Sequence, residues 1–128
     1  MITINVHEVV QLHEKLIKAT GGPYGIRDNG LLESAVLGCY QSFDGDDLYP
    51  GIIERAAHMA YAICKNHPFI DGNKRVSVTS MLVMLQLNGL VPSFTQQELV
   101  DLGLGIAGGS IEYEEIVVWI NEHLQISF

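Results

Sequence analysis

The chain has 128 residues, 48% of them hydrophobic, and 15 acidic against 7 basic side chains give it a net charge of −8. That length and apolar content suit one domain spanning residues 1–128 and exclude a disordered chain. The acidity argues against direct nucleic-acid binding, because the surface repels phosphate at long range, and the apolar stretches are interrupted too early for a membrane span.

Val6, Val9, Val10, Leu12, Leu16 and Ile17 follow helical spacing. Asn5 and Glu8 stand three apart, as in a capping box, and Gly21-Gly22 can end this first helix. After a Gly/Pro turn, Asp28 or Asn29 can cap a second helix running to about Gln41, with Leu31, Leu32, Ala35, Val36 and Cys39 inward. Residues 42–51 read as a loop or short hairpin. A third helix is expected from Ile52 to Asn66, ending before Pro68, since the residue preceding a proline is pushed out of helical geometry. A fourth spans Asn73 to Leu87; it is apolar on nearly every side from Val76 onward, the mark of a buried central helix. Thr95 and Glu98 form a second capping pair, opening a fifth helix to about Leu104. A sixth covers Glu112 to Leu124 with Ile116, Val117, Ile120 and Leu124 inward. The expected class is all-α: a compact bundle of about six helices, with a small β-hairpin as its strand content.

Cys39 and Cys64 lie 25 positions apart without metal-type spacing. Two thiols at this length do not make a disulfide framework and read as small core side chains, which fits a reducing compartment. The N-terminus carries no basic region followed by an apolar run. A cytoplasmic, untargeted protein is the expectation.

The third and fourth helices are joined by His67-Pro68-Phe69-Ile70-Asp71-Gly72-Asn73-Lys74-Arg75, and Lys65, Lys74 and Arg75, three of the seven cations, fall within eleven positions. Each residue has an ordinary explanation: His67 against a helix C-terminus, Phe69 as a buried anchor, Asp71 as a cap, Gly72 and Asn73 in a turn, Lys74 and Arg75 solvated. Together they also make a phosphate site. A helix N-terminus offers unpaired N–H groups, and Gly72 lets backbone approach an anion. Lys74 supplies a point charge and Arg75 a fork for two phosphate oxygens. Asp71 can hold Mg²⁺ beside phosphate oxygens, and His67 can take the proton of an attacking hydroxyl. Base, metal ligand and anion clamp within nine residues suit phosphoryl or nucleotidyl transfer.

This segment resembles the signature of the Fic/Doc family, in the Doc form His-x-Phe-x-Asp-(Ala/Gly)-Asn-Lys-Arg, at all seven specified positions. At about one in twenty per position, chance gives such a match on the order of once in a billion sites. Gly25-Ile26-Arg27-Asp28 with Leu31-Leu32-Glu33-Ser34-Ala35 is similar to the N-terminal part of Doc-type chains, so the resemblance extends over essentially the whole length. It implies a Fic/Doc-like helical fold with a hairpin flap, to which the Asp44-Gly45-Asp46-Asp47 turn would belong. His67 would be the general base and Asp71 the Mg²⁺ ligand. Gly72, Asn73 and Lys74 would form the anion cradle, Arg75 would bind nucleotide phosphates, and Lys65 would add a further positive contact. Fic enzymes of the general form transfer AMP to protein hydroxyls, whereas Doc phosphorylates elongation factor Tu from ATP bound in a reversed orientation. Here Lys74 replaces a glycine of the general form and Val78 replaces its second arginine, so the resemblance implies a kinase. No (Ser/Thr)-x-x-x-Glu-(Gly/Asn) self-inhibitory helix is present; inhibition would fall to a separate Phd-like antitoxin whose segment folds along a groove. The alternatives are AMP transfer and an inactive interaction module.

Other patterns are decoys. Gly103-Leu104-Gly105-Ile106-Ala107-Gly108 matches GxGxxG but follows a helical pattern instead of a strand, and reads as a helix-terminating turn. Asp44-Gly45-Asp46-Asp47 fails Ca²⁺-loop spacing at Leu48 and Tyr49. Cys64, His67 and Asp71 could supply three zinc ligands but leave the fourth unspecified. His7, His13, His58 and His123 have no evident partners and read as surface or structural side chains.

Overall fold

A computed structural model describes residues 1–124. Six α-helices follow in chain order: α1 (Val6–Thr20), α2 (Asn29–Leu37), α3 (Ile52–Asn66), α4 (Asn73–Leu87), α5 (Gln96–Gly108) and α6 (Tyr113–His123). α1 and α5 open with the expected capping boxes, Asn5 with Glu8 and Thr95 with Glu98. Asp28, not Asn29, caps α2, its carboxylate accepting from the Leu31 amide at 3.0 Å. At Gly38 the chain tightens into a 3-10 turn (Gly38–Tyr40), so α2 stops short of the expected Gln41. There the backbone packs directly on α3: a Cβ on Gly38 would stand 2.6 Å from Nε2 of His58.

The hairpin pairs β1 (Ser42–Phe43) antiparallel with β2 (Asp46–Asp47). Asp44 and Gly45 turn the corner with φ of 52° and 85°, the positive pair an Asp-Gly type I′ turn requires. Tyr49 pins its foot, stacking on His58 at 4.3 Å and meeting Tyr113 edge-on at 5.3 Å.

The long antiparallel pair α3–α4 forms the centre of the bundle. Ala56, Ala57, Met59, Ala60 and Ile63 of α3 and Val76, Met81, Met84 and Leu85 of α4 are fully buried, and the other helices extend one continuous core around them. At roughly 1.5–3 kcal/mol per large apolar side chain buried, this pair is what fixes the loop joining its ends. α5 differs from expectation. The helix continues a full turn past Leu104 and stops at Gly109, φ 86°, so the glycines at 103, 105 and 108 lie inside it and do not terminate it. Two of them serve packing: Gly103 faces the Lys74 backbone and Val78, and a Cβ on Gly105 would overlap Ile111 at 2.4 Å. Among the described residues no helix is long and apolar enough to cross a membrane.

Candidate active site

The residues 67–75 connect the two central helices. α3 ends at His67, which is left-handed at φ 50°, ψ 55°, a conformation costing a non-glycine residue on the order of 1 kcal/mol. Its own amide still closes the helix on Ile63 at 3.1 Å. Phe69 is fully buried. Asn73, itself buried, clamps that residue from both sides: the Phe69 amide donates to its Oδ1 and its Nδ2 donates to the Phe69 carbonyl, each at 2.9 Å. The Asn73 side chain therefore holds the loop, and what this residue offers a ligand is its backbone N–H.

Gly72, φ 80°, begins α4, and no side chain caps that helix. The first internal bond is from Val76 to the Gly72 carbonyl, so the amides of the first turn face outward without a protein acceptor among the described residues. A Cβ on Gly72 would stand 3.2 Å from Ile17 and 3.5 Å from His13. Asp71 does not cap the helix. Its carboxylate is half-exposed, 3.5 Å from Nη2 of Arg75, while Nη1 of Arg75 donates to the Thr20 hydroxyl at the end of α1.

His67, Asp71, Gly72, Asn73, Lys74 and Arg75 all line one cleft of about 570 Å³, closed by Cys64 and by Ala107 of α5. That size falls within the range of small-molecule sites. His67 and Lys74 are exposed in it. Lys65 is not among the lining residues; its ammonium lies over the Tyr61 ring, 5.6 Å from the centroid. Lys74 and Arg75 also line an adjoining, mainly apolar groove of about 320 Å³ between α1, α4 and α5, with Leu16, Val78, Leu99 and Val100.

The donor set fits Mg²⁺ held with phosphate: one accessible carboxylate beside the open amides, since Mg²⁺ commonly takes one or two carboxylates plus phosphate oxygens. It does not fit zinc. No group of three or more His, Cys, Asp or Glu side chains among the described residues could hold a metal ion. Cys64 turns to the Ser77 hydroxyl at 3.0 Å, and burial pushes its thiol pKa up, against that bond and the charges of Lys65 and Lys74. Both cysteines are free and buried, as expected.

Two residues shape the site that sequence patterning passed over. His13, buried on the inner face of α1, approaches the Asp71 carbonyl at 2.7 Å from Nε2 and stacks on Phe69 at 3.8 Å and 9°. Its spacing, four residues from both Val9 and Ile17, was the available signal: a histidine on a buried stripe needs a polar partner. Arg27 donates from Nε to the His67 carbonyl at 2.6 Å and from Nη2 to the Asn66 carbonyl at 2.8 Å. No local pattern assigns it those acceptors.

A family model for the Fic/DOC family matches residues 3–85. The chain is 34% identical over 113 residues to the protein kinase doc of Escherichia phage P1, covering 88% of each chain. It is 36% identical over 72 residues to the toxin Doc of Mycolicibacterium smegmatis, covering 56% of this chain and 55% of that one.

Proposed function

This chain belongs to the Fic/DOC family, and from that premise we propose that it is a Doc-like toxin that transfers the γ-phosphoryl group of ATP to a Ser or Thr hydroxyl of a translation factor, elongation factor Tu being the expected target. The reading rests on one observation: an imidazole, a carboxylate and the cationic, uncapped start of α4 line a single cleft.

An imidazole nitrogen of His67 takes the proton of the target hydroxyl as its oxygen attacks the γ-phosphorus, and the bond to the β,γ-bridging oxygen breaks to release ADP. The first-turn amides of α4 with Lys74 and Arg75 stabilise charge on the phosphate oxygens without reorganising. Asp71 is the carboxylate that would hold Mg²⁺, which would supply further neutralisation of the phosphates. Arg75 exchanges its contacts with Asp71 and Thr20 for the nucleotide. That exchange is inexpensive, because a half-exposed ion pair at 3.5 Å contributes little.

Phosphoryl transfer is favoured over AMP transfer by Lys74 and Val78. Lys74 places an ammonium on the cleft wall. Val78 is buried beneath Gly103 and faces the groove, so position 78 offers no second phosphate clamp. The groove, sharing Lys74 and Arg75 with the cleft, suits a Phd-like antitoxin segment that covers both, and the cytoplasm is where such a target is met.

The test is incubation of the protein with Mg²⁺, translation factors and ATP labelled separately at the α and γ phosphates. Transfer of γ-label, lowered roughly 10²–10⁴-fold in His67→Ala, supports the kinase. Transfer of α-label replaces it with AMP transfer, and transfer of neither leaves an inactive interaction module.

A further inference from the structure

His67 carries its imidazole from a backbone position that does not hold itself. It is the left-handed terminus of α3, exposed, and followed at once by Pro68, which has no N–H to contribute. The carbonyls at this helix end lack intrahelical partners, and those of Asn66 and His67 converge on one guanidinium, that of Arg27. The neighbouring backbone completes a strap. The amides of Arg27 and Asp28 both donate to the Pro68 carbonyl, at 2.6 and 3.0 Å, and the Ile70 amide donates to the Gly25 carbonyl at 3.1 Å. A single β-bridge joins Ile26 to Phe69. Residues 25–28 thus lie along the loop from Asn66 to Ile70, on a segment some forty positions away in the chain.

We propose that Arg27 is a positioning residue for His67, its guanidinium holding the carbonyls of Asn66 and His67 so that the base keeps its left-handed conformation and its aim at the cleft. The proposal rests on the transfer reading given above. Arg27 is not one of the residues lining the cleft, and two of its donors are engaged by carbonyls, so it acts on the reaction through His67 and not on phosphate. Arginine suits the task because its planar fork presents two N–H groups at a fixed spacing to two neighbouring oxygens, and its charge complements the negative end of α3. Its bonds are solvent-exposed, so water can replace them thermodynamically; what water cannot replace is the geometry.

Arg27→Ala should lower kcat on the order of 10²-fold, the effect of displacing a catalytic group by about an ångström. The KM for ATP, the nucleotide Kd and Tm should stay near wild-type values. Arg27→Lys, which keeps the charge but presents its donors from one nitrogen instead of a planar fork, should recover part of kcat. The second readout needs no turnover: in protein labelled with ¹³C at histidine Cε1, the His67 signal, assigned by its loss in His67→Ala, should be single in wild type and broadened or shifted in Arg27→Ala. Unchanged kcat and an unchanged His67 signal overturn the proposal. So does loss of kcat only in proportion to the unfolded fraction in both Arg27 variants, which would make Arg27 a structural prop. If wild type transfers neither label, the transfer reading fails, and the His67 signal alone then decides whether Arg27 sets the imidazole.

Discussion

His13 and Asp71 are 58 positions apart in the chain and meet at 2.7 Å, the Nε2 of a buried imidazole against the carbonyl of the loop's acidic residue. A carbonyl oxygen can only accept, so Nε2 carries the hydrogen. The same ring stacks on Phe69, and α1 thereby fixes the inner side of the loop whose outer side the 25–28 segment holds. His13→Phe keeps an aromatic ring and removes the donor. It should cost about 1–2 kcal/mol in urea-induced unfolding and reduce transfer beyond that loss, whereas a transfer rate equal to wild type would separate the Asp71 carbonyl from the chemistry.

Gly72→Ala places a methyl group where φ is 80° and Ile17 stands 3.2 Å away. The expected destabilisation is about 1–2 kcal/mol. Nucleotide binding, followed by calorimetry at a temperature where the variant is folded, should weaken at least tenfold as the start of α4 shifts. Wild-type affinity would show that the first-turn amides do not hold phosphate.

Lys74→Gly separates the two transfer chemistries. Lys74 is exposed, so the fold should lose only about 1 kcal/mol from the glycine in the first turn of α4. Transfer of γ-label should be lost, with some α-label transfer gained. A γ-transfer rate equal to wild type would remove Lys74 from the phosphate site.

One contact between α5 and α6 joins two titratable groups. His123 donates from Nδ1 to the Trp119 carbonyl at 2.7 Å and faces the Glu98 carboxylate with Nε2 at 2.6 Å. Both nitrogens meet acceptors, so the ring is best satisfied as the imidazolium. Burial pulls its pKa down, but the bonds to Glu98 and Trp119 outweigh this and leave it above its ordinary value. The Glu98 carboxyl is held below its ordinary value by the Thr95 amide first and by His123 second. A raised histidine stabilises fully below its unfolded pKa, near 6.5, and that contribution disappears as pH rises through the folded value. The glutamate stabilises above its unfolded pKa, near 4.5, and loses that contribution as pH falls through the depressed folded value. Wild type should therefore gain most over His123→Gln between about pH 5 and 6, with the gap closing as pH rises through the raised folded value. Because the Glu98 carboxylate is exposed and screened by solvent, the difference in Tm should be about 2 °C or less. A gap that widens above pH 7 would contradict the assignment.

Local chemistry carried most of the fold. Asn5 with Glu8, Asp28, and Thr95 with Glu98 mark helix starts because a side chain caps amides within three residues of itself. The Asp44-Gly45 corner follows from the φ those residues tolerate. Where these readings failed, a distant group intervened. Three glycines would end a solitary helix, but Gly103 packs against Lys74 and Val78 and Gly105 against Ile111, and α5 runs on to Gly108.

By itself, the amino-acid sequence determined that His67, Asp71 and the cationic start of α4 sit on one loop between two central helices, because nine consecutive residues cannot stray far from one another. Tertiary structure alone decided how that loop is held. His13 reaches it from α1 and Arg27 from the turn before α2, through backbone carbonyls that carry no side-chain identity. It also decided that Asn73 serves the loop with its side chain and that Lys65 lies over Tyr61, outside the cleft. A hydrogen bond to a carbonyl depends on where the chain passes and not on which residue passes there, and only the packing of the helices specifies that.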